Sequence, residues 1–144
     1  MALALYGPGF NWSHSDMHQD ETRITSKLMT NAEAGKKGEA VKLVNGRWTK
    51  ASATDVPGGI LVADVVAGTD VPCDVYLIRP GDVFYVKYTG TPAAGFTEGA
   101  NAVAISADGL SVNAATVAGG AVAIKDINTA NQTCAVYFKL RQFS

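Results

Sequence analysis

The chain has 144 residues, with 12 Lys+Arg against 13 Asp+Glu for a formal net charge of −1, 47% hydrophobic residues and 17% charged ones. That length fills one domain and leaves no room for a second catalytic one. The near-neutral balance lacks the basic field that holds a phosphate backbone, so nucleic acid is not an expected partner. The lightly charged, apolar composition argues against disorder and for some apolar surface covered by a partner.

In chain order, Met1 to Tyr6 is apolar but is broken by Gly7, Pro8 and Gly9, with no basic residue ahead of it. Neither a signal peptide nor a membrane span is expected, which places synthesis in a cytoplasm. Residues 11–33 carry both histidines, His14 and His18, with Asp16, Asp20 and Glu21 among scattered apolar positions such as Met17, Ile24, Leu28 and Met29. The expectation is an extended N-terminal arm or short helix over residues 1–38, followed by a β-rich domain over residues 39–144.

From Gly38 onward, short apolar runs are cut by Gly, Pro, Asn and Asp at strand-and-turn intervals. Val41 and Leu43 alternate with Lys42, Asn45-Gly46 supplies the two φ > 0 positions of a type I′ turn, and Arg47-Trp48-Thr49 returns. Ile60 to Val66 is a β-branched run of buried-strand length. Val75–Ile78 and Val83–Tyr88 flank Arg79-Pro80-Gly81-Asp82, which suits a type II turn and is expected to close a hairpin. Val103 and Ile105 lead through Asp108-Gly109 to Leu110-Ser111-Val112, and Ala121–Ile127 with Thr133–Leu140 forms the last pair. Eight to ten short strands result. The expected architecture is mainly β, a compact antiparallel β-sandwich or small β-barrel.

The chemistry-bearing residues are few. His14 and His18 stand at i and i+4, a metal-sharing spacing on a helix with Asp20 or Glu21, but Ser15 occupies the place of a zincin's glutamate. A nucleophilic triad would have to recruit the arm, which holds the only histidines. Asp64, Asp70, Asp74 and Asp82 fall at turns and strand ends, where Asp bonds locally. Gly58-Gly59 and Gly119-Gly120 lack the context of a phosphate loop. Cys73 and Cys134 are too isolated for a disulfide framework or zinc ribbon. Neither catalytic activity nor a cofactor is expected. Phe10 and Trp12 lie far from the predicted core, which suits anchoring to a partner, whereas Trp48, Tyr76, Phe84, Tyr85, Tyr88, Tyr137 and Phe138 suit sheet packing.

Two resemblances add to this reading. Glu39-Ala40-Val41-Lys42-Leu43-Val44-Asn45 resembles the hairpin of biotinyl carrier domains, which implies Lys42 as a biotin acceptor. Across Ala32–Val66, the order Ala-Glu-Ala-Gly-Lys-Lys-Gly-Glu-Ala-Val-Lys-Leu, Asn-Gly-Arg-Trp, then Val-Pro-Gly-Gly-Ile-Leu-Val-Ala-Asp-Val resembles the decoration (cement, or head-stabilising) proteins of tailed bacteriophages. That resemblance implies a non-enzymatic virion protein on the outer capsid surface that stabilises the shell by bridging subunits of the major capsid protein. It also implies self-association as a homotrimer, with an arm docked on the shell through Tyr6, Phe10 and Trp12. A phage tail or fibre component, or a carbohydrate-binding β module, shares the composition.

Overall fold

The computed structural model describes residues 8–143, and every regular element among them is a strand. In chain order these are β1 (Asn11–Ser15), β2 (Arg23–Ile24), β3 (Leu28–Met29), β4 (Ala40–Val44), β5 (Arg47–Lys50) and β6 (Gly59–Leu61), then β7 (Val75–Leu77), β8 (Asp82–Thr89), β9 (Ala104–Ile105), β10 (Val112–Asn113), β11 (Val122–Asn128) and β12 (Thr133–Phe138). They form two six-stranded sheets. The first runs β11-β12-β8-β10-β9 with β1 alongside β8, and the second runs β2-β7-β6-β4-β5-β3.

The second sheet curls into a half-barrel. Beyond β3 its edge meets the run-in to β7, where Leu28 bridges Pro72 and Met29 N–H donates to the Val71 carbonyl at 2.8 Å. Pairing that edge leaves fewer open backbone groups to attract another chain. The mainly β, sandwich- or barrel-like class expected from the sequence is the one observed.

Alternation of side chains along each strand splits the interior into two cores. In the curled sheet Val41, Trp48, Leu61 and Val75 point into its own hollow with Met29, Val65 and Cys73. Their chain neighbours Ala40 and Ile60 point the other way and join the first sheet's Phe84, Val86, Val112, Ile124, Val136 and Phe138. A strand buried on both faces reads as a continuous apolar run instead of an alternating one, as at Ile60-Leu61. Trp48 is completely buried, and its indole N–H has no partner among the described residues.

Turn chemistry explains the connections. Asn45 and Gly46 adopt φ of 51° and 79°, and β4 and β5 pair from Val44↔Arg47 outward. The turn at Pro80-Gly81 also forms, with Gly81 at φ 83°, but it does not close a hairpin. β7 belongs to the curled sheet and β8 to the other. A type II turn twists against the right-handed twist of paired strands and splays them, so here it carries the chain between sheets. The buried Asp82 carboxylate fastens this corner, accepting from Arg79 Nε and from Arg79 Nη2, each at 3.0 Å. Two pairings are parallel, β3 with β5 and β10 with β8, in place of the purely antiparallel pattern expected.

The first 38 residues require a larger correction. Their described part is no separate arm: β1 lies in the first sheet, and β2 and β3 lie in the second. Phe10 is 1% exposed and Met29 is fully buried. Two-residue strands carry no periodic signature, and β1 keeps polar Asn, Ser and His on its open face, so the sequence resembles a solvated segment. A boundary at residue 38 therefore does not divide the described chain into two bodies.

Residues 38–40 join the layers. Gly38 O accepts from Phe10 N–H at 2.8 Å, Gly38 N–H donates to Leu61 O at 2.9 Å, Leu61 N–H donates to Glu39 O at 2.9 Å, and Ala40 N–H donates to Gly109 O at 2.9 Å. Gly9 and Gly38 cross in contact at positive φ, and a Cβ on Gly38 would sit 2.7 Å from the Pro8 carbonyl oxygen. Glu39 is buried here at 3% exposure. Its Oε1 accepts from Lys36 N–H at 3.3 Å, while Oε2 has no partner among the described residues. Burial pushes its carboxyl above the ordinary 4.5, against that hydrogen bond and the charge of Lys50, with Glu33 and Asp108 adding to the rise.

Phe10→Ala is expected to destabilise the fold by about 3–5 kcal/mol in chemical denaturation, as for a core aromatic. Gly38→Ala should cost about 1–3 kcal/mol from backbone strain alone. An arm that stands off the body would tolerate both.

A raised carboxyl contributes stability that is present below its ordinary value and is lost as pH rises through the raised one. Glu39→Gln, neutral at every pH, should therefore remove part of the stability loss on raising the pH above 4.5. An unchanged stability–pH slope in the variant would show that Glu39 is solvated in the folded state.

Candidate binding surface around the first strand

β1 presents two chemistries. Inward, Phe10 meets Phe138 with ring centroids 5.2 Å apart, and Phe138 meets Phe84 edge-on at 5.5 Å. Trp12 packs half-buried against the same core, and its indole N–H has no acceptor among the described residues. Outward, the register against β8 shifts between Trp12 and His14, leaving Ser13 as an extra residue. Such a bulge re-aims side chains that strict alternation would send to opposite faces.

The result is a chain of hydrogen bonds. Ser13 Oγ lies 2.8 Å from His14 Nδ1, and His14 Nε2 lies 3.0 Å from Asp16 Oδ1. With Nε2 protonated, the serine hydroxyl donates to Nδ1 and the imidazole donates to the carboxylate. Asp16 Oδ2 accepts from Lys125 Nζ at 3.1 Å and from the Tyr137 hydroxyl. These bonds hold the Asp16 carboxyl down to about 2, with the Tyr137 bond the largest cause and Lys125 next. The same contacts push the Lys125 ammonium and the Tyr137 phenol up.

A serine–histidine–aspartate order invites a nucleophilic reading, and the fold does bring these three together. Acyl transfer also needs a walled site and donors aimed at a developing oxyanion. Here His14 and Asp16 are 45% and 38% exposed, on the open face of a sheet. Two of the three carboxylate contacts are spent on β11 and β12. The arrangement acts as a polar clamp that fastens the end of β1 across the sheet. Lys125 and Tyr137, 109 and 121 residues away from Asp16, carry no local signal that could have assigned them to it.

The other sequence candidates fall as follows. Tyr6 lies outside the described residues. Phe10 is a core residue, so its ring is not on offer to a partner, whereas Trp12 reaches the surface in part. His18 follows a tight turn at φ 57°, so it does not share a helix face with His14. No cluster of three or more His, Cys, Asp or Glu able to hold a metal occurs among the described residues. Lys42 stands within β4, off the Asn45-Gly46 tip, and its ammonium meets Asp55 at 3.1 Å. Asp82 bonds locally to Arg79, as expected of a turn aspartate, whereas Asp70 pairs with Arg47, 23 residues away in the chain. Cys73 and Cys134 are buried free thiols, and burial pushes Cys134 up to about 12.

Open depressions mark the surface beside β1 and along the curled sheet. One of about 150 Å³ is walled by Trp12, Tyr76, Leu61 and Lys37. A second of about 500 Å³ is walled by Pro8, Lys36, Lys37, Asp64 and Leu110. A third of about 320 Å³ is walled by Val62, Val65, Pro72 and Cys73 with Asp64 and Asp74. No protein-family model matches the chain, and no curated protein matches it.

The clamp has a pH signature. A depressed carboxyl gives stability that is present above its ordinary value of 3.8 and is lost as pH falls toward about 2. Asp16→Asn should speed amide exchange in β1 at neutral pH and flatten the acid limb of unfolding between those values, with only a small effect on overall stability, as for exposed pairs. Equal exchange in the variant and the parent would mean that β1 is held by its ladder and Phe10 alone.

Proposed function

We propose that the chain is a non-enzymatic virion structural protein that binds the outer surface of a phage capsid and stabilises it by bridging major capsid protein subunits. The reading rests on the resemblance across Ala32–Val66. The observation that carries it further is the kind of surface this scaffold offers. Large apolar side chains stand out from a rigid all-strand body, Val66 at 81% and Met17 at 62% exposure, with Val44, Leu140 and Phe143 less so. Such a surface suits contact with another protein, where a rigid platform limits the ordering cost of binding, and repetition over a lattice multiplies modest contacts.

The docking assignment shifts accordingly. Phe10 serves the core, and contact with the shell falls to Trp12 and to exposed apolar positions such as Met17 and Val66. Self-association as a trimer belongs to the same proposal.

Sedimentation of the purified protein alone, and with undecorated phage heads, tests both parts. A trimer that co-pellets saturably is expected, and Met17→Asp with Val66→Asp should cut co-pelleting about tenfold or more while leaving thermal unfolding unchanged. A monomer that stays in the supernatant with every head preparation would overturn the reading.

A further inference from the structure

We propose that the edge of β4 at Leu43 is a recognition seat for an extended peptide that presents a primary carboxamide followed by an aromatic ring, and that the chain fills this seat with its own residues 141–143. The inference concerns the curled sheet and the tail that crosses it, so it stands apart from the capsid reading.

The seat begins where a ladder stops. β6 lies antiparallel to β4 through Ala40↔Ile60 and Val41↔Gly59, and continuing that register sets Pro57 opposite Leu43. Proline has no N–H to donate, so the ladder cannot run on through it. On its other side Leu43 faces β5, with Trp48 directly opposite. The peptide groups of Leu43 are taken by one side chain from the far end of the sequence. Leu43 N–H donates to Gln142 Oε1 at 2.7 Å, and Gln142 Nε2 donates to the Leu43 carbonyl at 3.1 Å. A carboxamide holds an acceptor and a donor side by side, so it stands in for the peptide groups of a neighbouring strand. The contact is strand addition reduced to a single residue.

Further contacts make the seat selective. Gln142 N–H donates to the Pro57 carbonyl at 3.0 Å. Phe143 stands edge-on to the buried Trp48, with ring centroids 6.4 Å apart and the planes at 83°. Gly58 supplies the room, because a Cβ there would lie 2.5 Å from Gln142 Oε1, 2.9 Å from the Phe143 ring and 3.1 Å from the Trp48 ring. Arg141 Nη1 donates to the Phe138 and Lys139 carbonyls at 2.6 and 3.2 Å, which starts the tail from the end of β12. The occupant is nevertheless held lightly. Gln142 and Phe143 are both exposed, and a segment near a chain end with few buried contacts opens without the rest of the fold. Opening uncovers the Leu43 edge and one flank of Trp48 to a segment that carries the same pair of groups.

The test is amide exchange at Leu43 in the full-length protein, with and without a peptide of residues 139–144 added at about 1 mM, the range a short tether supplies. Gln142→Ala changes an exposed position, so thermal unfolding and exchange at Val86 in β8 should match the parent. Leu43 exchange in that variant should rise about tenfold. The added peptide should restore protection, and the same peptide carrying Gln142→Ala should not. Gly58→Ala in the protein should raise Leu43 exchange likewise and block the rescue. Unchanged Leu43 exchange in Gln142→Ala, rescue by neither peptide, or equal rescue by both would overturn the proposal. Leu43 exchange in the parent that slows as protein concentration rises would also overturn it, by seating a second copy's tail in place of the chain's own.

Discussion

The architecture depends on the backbone crossing at Gly9 and Gly38. Two chain segments approach there until neither can carry a side chain, and the contact lets residues 38–40 bond at once to β1, to β6 and to the loop that ends at Gly109. Those bonds reach both sheets, through the lead-in to β1 and the β9–β10 loop on one side and through β6 on the other. Without the crossing, β1 has no fixed height against the curled sheet, and the aromatic row of Phe10, Phe138 and Phe84 has nothing to hold its first ring in place.

From that junction the two cores follow. A strand with apolar residues at consecutive positions cannot hide both faces against one layer, so the second sheet must curl over one face and receive the first sheet on the other. Ile60 and Leu61 are adjacent in sequence yet belong to different cores. The cost appears in polar groups stranded at the boundaries. Glu39 Oε2 and the indole N–H groups of Trp12 and Trp48 are buried without partners among the described residues, and an unsatisfied buried polar atom typically costs about 1–3 kcal/mol. Such strain is tolerable in a scaffold whose strands are otherwise paired nearly throughout.

The same constraint shapes the surface that a partner meets. β1 is held from beneath by Phe10 and Trp12 in the core and just beyond its end by the hydrogen bonds of Asp16 to Lys125 and Tyr137. Ser13, His14 and Asp16 illustrate how a bulge and long-range contacts to Lys125 and Tyr137 assemble a familiar order of side chains.

The sequence by itself determined the strand-rich class, the Asn45-Gly46 hairpin, the final β11–β12 pair and the burial of most aromatics, because turn residues and period-two patterning act within a few residues. It left open what depends on partners distant in the chain. Arg79-Pro80-Gly81-Asp82 announced a turn, but only the tertiary structure decided that the turn changes sheets. The polar run around His14 read as solvated because half of each β1 side-chain pattern faces water and the core half rests on Phe10 and Trp12 alone. The biotin-like stretch at Lys42 and the decoration-like stretch across Ala32–Val66 were legible as words, yet their placement in mid-strand and at the junction came from packing. The clamp joining Asp16 to Lys125 and Tyr137 exists only because β1, β11 and β12, far apart in sequence, are gathered into one sheet. Local propensity fixes elements, and the non-local burial of apolar faces fixes which of them meet.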